Sequence, residues 1–496
     1  MTDSIYSLTI KIEESIKTCL SRFLRGHIAL SEENINLLIA PWSHYFTHSA
    51  LDRWVRNVSK KPSENLNIEN VPGDTLSFME HSRTNNYPDY LDASLEKRNI
   101  KRSLREESEL LFIKPEKFSS TLVYQGGFNK IFLLNLSLCS ALKIRRVRDV
   151  RQPRFFNINK EIREKLLEEL ISCLKENEAG TWLAYRATEY FPKSLLEGLP
   201  EILRFYEDHP IKRNLFSCNA WSIMDGWRIY CALQREKGAK LIGSPHSINY
   251  GTSKYFWLRE FDLNNLDEYF TWGWQYPASR PIRFFSPPKF SGLKRPVKPS
   301  KISANDSILI TSAARPRHLL EQPYSPERFE QYLSEQLRLA NACQVLTEKK
   351  VCIRTRPKEM GWNLGDMIRK IDNPNIKLEF QSGKFLARLK KSSIHICDNT
   401  STTILESLWI NHPTLIYISD AYFEISEDAK PAYQLLQQTG IFHTSIESLA
   451  NHLKSVNADI NAWWNKKDVQ DSIVKFLKIQ GNPEGGIKAW KKALLN

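Results

Sequence analysis

The chain has 496 residues, 41% of them hydrophobic, and carries 70 Lys and Arg against 56 Asp and Glu, a formal net charge of +14. That length and apolar content exclude a disordered chain and are enough for two or three domains with cores of their own. Eight scattered cysteines without a C-x-x-C pair exclude a disulfide framework and a zinc-finger site, and the positive balance points to an anionic partner: a nucleotide, a phosphorylated glycan, a membrane surface or a nucleic acid.

The N-terminal segment MTDSIYSLTIKIEESIK has an acid ahead of any base and no continuous apolar core, so no secretory signal is expected. The most apolar run, IFLLNLSLCSALKI, falls short of the roughly 18 residues a membrane helix needs and is broken by Asn135 and Ser137. The expected location is the cytoplasm. As far as about residue 270 the texture is mainly helical; in KEIREKLLEELISCLKENE, Ile162, Leu166, Leu170 and Leu174 recur at helical spacing. Three strand-like pieces in this half, SSTLVYQGG, RNLFSCNAW and AKLIGSP, each lead into a polar or Gly-containing turn and point to a sheet among the helices. The basic stretch KIRRVRDVRQPR (residues 143–154) reads as a solvated face or, alternatively, as a docking face for anionic lipid.

Residues 275–305 are dense in Pro, Ser and Lys and lack periodicity, as an interdomain connector would. From residue 306 short β-branched runs alternate with helical patterns: SILITSA, SPERFEQYLSEQLRLANAC, VCIRTRP, NIKLEF, SIHICDN and TLIYIS. This order implies right-handed β-α-β crossovers and a parallel, Rossmann-like sheet, in which ligands bind beyond the carboxyl ends of the strands. The expected fold is therefore α/β and GT-B-like, two Rossmann-like lobes facing a cleft with the N-terminal lobe helix-rich. The expected division is 1–275, a 276–305 connector, 306–470, and a 471–496 helical segment crossing back to the first domain.

Three strand ends in the second half carry anion-binding chemistry. In CDNTSTTILES the strand ends near Cys397, Asp398 and Asn399 turn the chain, and a helix begins around Ser401. Thr400, Ser401, Thr402 and Thr403 can cap that helix and, with its unpaired N–H groups and partial positive charge, hold a phosphate; capping alone is the alternative. Glu406, one turn further, either reaches a ribose hydroxyl or faces solvent. VCIRTRPKEMGW offers Arg354, Arg356 and Lys358, as phosphate ligands or as surface charges paired with Glu359 or Asp366. TSAARPRHLLEQPYSP offers Arg315 and Arg317 beside His318. One phosphate-rich ligand explains all three. No D-x-D spacing occurs, so leaving-group charge would be met by helix dipole, hydroxyls and arginines, with no metal site.

The pattern R-x-R-P-K-E, some forty residues ahead of D-N-T-S-T-T-x-x-E, resembles the donor half of GT-B transferases, an arrangement shared by CDP-glycerol phosphotransferases and bacterial sialyl- and Kdo-transferases. More specifically, KLIGSPHSINYGT followed by EYFTWGW is similar to a family of transferases inferred from bacterial surface-carbohydrate loci, in which Q-H-G-G-x-Y-G precedes D-x-F-x-W-G-W. NLLIAPWSHYFTHSALDRW matches that family's I-G-P-W and D-R-W stretch, and LLQQTGIFHTSIESLANHL its closing L-x-x-x-G-I segment. Here Pro245, Ser247 and Ile248 replace the Gln and the glycine pair, while His246, Tyr250 and Gly251 remain.

The resemblance implies a metal-independent glycosyltransferase of surface polysaccharide or lipopolysaccharide biosynthesis, with no required cofactor. Its donor would be a CMP-, UDP- or GDP-linked nucleotide sugar, a CMP-activated acidic sugar such as Kdo or a nonulosonic acid foremost. Its acceptor would be a glycan or a lipid-linked acceptor, met in the cytoplasm or peripherally at the inner face of the cytoplasmic membrane. The first domain would be the acceptor side and the second the donor side. His246, an imidazole placed just after an apolar strand, is the expected general base, with Asp225 and Glu260 in reserve. Trp221 and Trp227 could stack on sugars, whereas Trp272 and Trp274 suit hinge packing. Alternatives are a nucleotide-sugar epimerase or a CDP-polyol phosphotransferase on the same fold, or a basic nucleic-acid-binding protein. No nucleic-acid partner is expected, because the arginines sit at strand ends and not along one helix.

Overall fold

The structure, a computed structural model, describes residues 2–55, 71–75, 77–78, 119–147, 156–276, 282–293, 295–296, 307–313, 326–355, 373–380, 384–481 and 485–496. Its strands form two six-stranded sheets, and every strand pair in both is parallel. The first sheet contains β1 (Thr121–Tyr124), β2 (Ile144–Val147), β3 (Asn214–Ser217), β4 (Lys240–Gly243), β5 (Glu268–Thr271) and β6 (Ile282–Phe284), in the order β2-β1-β3-β4-β5-β6. The second contains β7 (Ser307–Thr311), β8 (Lys350–Thr355), β9 (Ile376–Phe380), β10 (Ile394–Cys397), β11 (Thr414–Tyr417) and β12 (Phe442–His443), in the order β12-β11-β10-β7-β8-β9.

The expected α/β class with two Rossmann-like sheets is the one observed. Central strands such as β3, β10 and β11 are buried along their whole length, because helices cover both faces of a parallel sheet, and so read as continuous apolar runs. In the second sheet the strand order reverses between β7 and β10. At such a switch point the loops leaving two neighbouring strands diverge and open a crevice for ligand at their carboxyl ends.

Two stretches differ from their sequence reading. The basic stretch at 143–154 is not a solvated face throughout: its first part is the edge strand β2, with Ile144 and Val147 buried and Arg146 outward. Residues 282–284, within the Pro-rich stretch, form β6 and extend the first sheet by pairing with β5.

The long helices Thr2–Arg25 and Glu32–Val55 form a hairpin on the first sheet's side, where the buried Trp42 donates its Nε1–H to the Tyr190 carbonyl at 3.0 Å. At the other end of the chain, the helix Ile487–Leu495 returns to the first sheet. Its buried Trp490 packs among Phe128, Phe216, Phe270 and Phe285, and Thr121 and Asn214 donate to the Leu494 carbonyl.

The two halves touch through an antiparallel bridge between Ser253 and Ile425, where Lys254 N–H donates to the Glu424 carbonyl at 3.0 Å and Ser426 N–H to that of Thr252 at 2.8 Å. Arg295 adds bonds to the Leu408 carbonyl (3.1 Å), Asn411 (2.8 Å) and Gln470 (3.0 Å). No helix among the described residues is long and apolar enough to cross a membrane.

Candidate functional site

The hydroxyl cluster lies at the switch point. β10 ends at Cys397, and the helix Thr402–Trp409 starts five residues on with Ser401 as its extended N-cap. Ser401 makes no side-chain bond to the helix N–H groups. Its hydroxyl bonds to that of Thr403, and Thr403 Oγ1 is also 3.3 Å from Thr311 Oγ1 at the end of β7. Thr400 is buried, and its hydroxyl has no hydrogen-bond partner among the described residues. The N-cap Ser401 therefore does not act as a side-chain cap, its hydroxyl being turned to Thr403 instead.

Asp398 holds the turn from beneath. It is buried and accepts from Ser312 (2.6 Å), Tyr332 (2.9 Å), Gln336 (3.0 Å) and Asn399 (3.0 Å), tying the end of β7 and the helix Pro326–Thr347 to the cluster. Burial pushes its carboxyl up and the four donors pull it back. Asp398 thus fixes the shape of this turn. Glu406 neither faces solvent nor stands open to a ribose: it is buried against Lys289 from the other half, at 2.5 Å. Arg354 is buried and pairs with Glu379 directly opposite on β9, at 2.7 Å, while Arg388 bonds the second oxygen of Glu379 at 2.7 Å. Arg315, Arg317, Arg356 and Lys358 lie outside the described residues.

His246 follows β4, itself buried in the first sheet. Its Nδ1 is 3.2 Å from the Cys218 carbonyl, just beyond β3, and 3.2 Å from the Tyr250 hydroxyl. A carbonyl oxygen only accepts, so Nδ1 carries the hydrogen and Nε2 is the basic nitrogen of the neutral ring. The Tyr250 hydroxyl in turn bonds to Asp262, which also accepts from Tyr269 at 3.1 Å. Asp262 is buried, and burial pushes its carboxyl well above the usual range, opposed only by the two tyrosine hydroxyls. A line of hydrogen bonds therefore runs from a buried carboxyl to the His246 ring.

Of the two reserve bases, Asp225 is fully buried in an ion pair with Arg228 and accepts from Thr75 N–H (2.9 Å) and Ser194 (2.5 Å). Glu260 is held by Arg259 at 3.1 Å and by the Tyr276 hydroxyl at 2.7 Å. Both carboxylates already have partners that fix them in the fold. Trp221, Trp227, Trp272 and Trp274 are all buried, and Trp274 packs on Gly251, leaving no room there for a Cβ.

The two sets of residues meet. Thr402 Oγ1, at the helix N-terminus of the second half, lies 3.4 Å from the His246 carbonyl oxygen of the first. Sequence reasoning found both partners of this contact but missed Asp262, Cys218 and Thr311. For Asp262 a signal existed: in WLREFDLNN it falls four residues after Leu258, on the helix's apolar face, where a carboxylate needs a reason.

A family model described as LIC12162 family transferase matches residues 68–494; the I-A-P-W stretch at 36–54 lies ahead of that match. Among solved structures, the spinosyn rhamnosyltransferase SpnG complexed with thymidine diphosphate is 13% identical, with 76% of this chain and 100% of that chain covered at a TM-score of 0.37. MurG of Acinetobacter baumannii is 9% identical, with 76% and 98% covered at a TM-score of 0.32. A UGT transferase from Siraitia grosvenorii in complex with UDP is 9% identical, with 76% and 100% covered at 0.36. A search of curated proteins gives no match.

Proposed function

Because this chain belongs to the LIC12162 family transferases, we propose that it moves a sugar from a nucleotide donor to an acceptor hydroxyl, using Thr400–Thr403 to hold the donor phosphate and His246 as general base. The observation that carries this reading is the 3.4 Å contact between Thr402 Oγ1 and the His246 carbonyl, which sets an anion cradle beside a histidine of fixed tautomer. Neither half has both parts.

In the proposed reaction the acceptor hydroxyl gives its proton to His246 Nε2 as its oxygen bonds to the anomeric carbon. The bond from that carbon to the phosphate oxygen breaks, and its electron pair leaves with the nucleotide. The charge that develops there meets the N–H groups of the helix Thr402–Trp409 and the threonine hydroxyls, which are already in place and need no reorganisation. The imidazolium formed at His246 keeps its Nδ1–H on the Cys218 carbonyl and the Tyr250 hydroxyl. Asp225 and Glu260 stay in reserve as bases, since either would first have to leave its present partners.

His246 in the first half and Thr400–Thr403 in the second support an acceptor side within 1–275 and a donor side within 306–470. The resemblance to surface-carbohydrate transferases supports a CMP-activated acidic sugar as the first donor to try, followed by UDP- and GDP-sugars, with a glycan or lipid-linked acceptor. Docking at an anionic membrane face would draw on the +14 charge.

The test is nucleotide release from CMP-, UDP- and GDP-sugars, with and without glycan acceptors, by wild type and His246→Asn. One donor class should turn over with acceptor, and His246→Asn should lose roughly 10²- to 10⁴-fold in kcat while still binding donor. Full activity in His246→Asn would remove the base, and sugar exchange without acceptor would favour an epimerase.

A further inference from the structure

The N-terminal helical hairpin holds a cluster that sugar transfer does not use. Glu13 lies on the helix Thr2–Arg25, and His44 and His48 lie on the helix Glu32–Val55. Their spacing of four residues puts both imidazoles on one face of that helix. His44 Nδ1 is 3.0 Å and His48 Nε2 3.4 Å from Glu13 Oε2, and the three donor atoms lie within 4.8 Å of one another. A point equidistant from three atoms so spaced is roughly 2 Å from each, the length of zinc bonds to imidazole nitrogen and carboxylate oxygen.

Charge bookkeeping points the same way. The Glu13 side chain is 7% exposed and each imidazole 2%, so a carboxylate has been taken almost wholly out of water. Such a charge is costly unless a cation meets it. A divalent ion would neutralise the carboxylate and use the imidazole lone pairs with no proton at all.

We propose that Glu13, His44 and His48 form a binding site for a divalent transition metal, zinc by its donor set. Two nitrogens and one carboxylate oxygen, hard enough to exclude copper(I) and too rich in nitrogen for calcium or magnesium, are ligands zinc accepts. The His44 ring stacks on Trp257 at 4.1 Å between centroids and 10° between planes, so the metal would fix the hairpin against the helix Trp257–Asn265, which carries Asp262. A second grouping, Cys19, Glu169 and Cys173, meets the same distance limit. There the Arg22 guanidinium already sits 2.7 Å from Glu169 and 3.2 Å from Cys173, and a second cation would be repelled.

The test is metal binding by the untagged full-length chain, stripped with chelator, then titrated with zinc against a chromophoric competitor and separately with cobalt(II). One equivalent of zinc per chain, a rise in melting temperature with zinc, and the strong visible absorption of low-coordinate cobalt are expected. His48→Gln should abolish all three, and the Cys19→Ser, Cys173→Ser double variant should keep them. Failure of the folded, stripped wild type to take up an equivalent of zinc overturns the proposal, whatever the variants do. So does stoichiometric zinc that survives His48→Gln or disappears with the two cysteines.

Discussion

His246 has its Nδ1–H committed to a backbone carbonyl and a tyrosine hydroxyl, so its behaviour as a base depends on Tyr250. Replacing Tyr250 by Phe removes a hydroxyl that accepts from the ring while keeping the aromatic that packs on Phe256. The imidazolium then loses support, its pKa falls, and the acidic limb of the pH–rate profile should move to lower pH. We expect kcat to drop roughly 10-fold with donor KM unchanged, a split that a purely structural tyrosine would not produce. An unmoved profile contradicts the relay. His246 and Thr400–Thr403 were legible in the sequence because each is a polar group directly after an apolar strand. For Arg354 the sequence leaves a phosphate or a carboxylate such as Glu359 or Asp366 as partner; the carboxylate it meets is Glu379 across the β8–β9 ladder, which follows from strand register and not from sequence alone.

At the scale of elements, the second sheet carries its own pH signature. His395 on β10 is fully buried between Thr311 (2.8 Å) and Ser407 (3.1 Å), and burial lowers its pKa to about 3. A ring that stays neutral in the folded chain takes up its proton only on unfolding. Between the unfolded value of 6.5 and about 3 the unfolded state therefore holds one more proton, and stability falls as pH falls through that window. The slope is about 1.4 kcal/mol per pH unit for each such group. His395→Gln should flatten the dependence of urea-unfolding free energy on pH by that amount between pH 6 and pH 4; parallel curves for variant and wild type would rule the assignment out. The strands β1, β3, β4, β7, β8, β9, β10 and β11 were visible as apolar runs, whereas the buried β5 (EYFT), short and opening on Glu268, was not. The short edge strands β2, β6 and β12 were not, because an edge needs few apolar residues and two of them sit among arginine or proline.

Over the whole molecule, the parts of the proposed site come from two sheets that share no strand, and what brings them together is the contact between the halves. The Ser253–Ile425 bridge, Lys254 with Glu424 at 2.8 Å, and Lys289 with Glu406 hold the turn carrying His246 over the end of β10. None of these pairings could be read from the sequence, since their members lie more than a hundred residues apart and have no local pattern. The two-sheet architecture and the polar turn that follows β10 could be read, because both follow from local periodicity and polarity. The net charge of +14 adds a general attraction for anionic donors, and Thr400–Thr403 are left to make it specific.

The measurement that bears most directly on this account is calorimetric titration of CMP, CDP, UDP and GDP into wild type, Thr402→Val and Thr400→Val, with the stability of each protein measured alongside. Because the Thr400 hydroxyl is buried without a partner among the described residues, its removal should leave stability equal or raise it by about 1 kcal/mol, while weakening nucleotide binding roughly 10-fold. The account predicts that at least one nucleotide binds the wild type and that both variants bind it more weakly while remaining folded. Equal affinity in all three proteins, or no binding by the wild type, would contradict it.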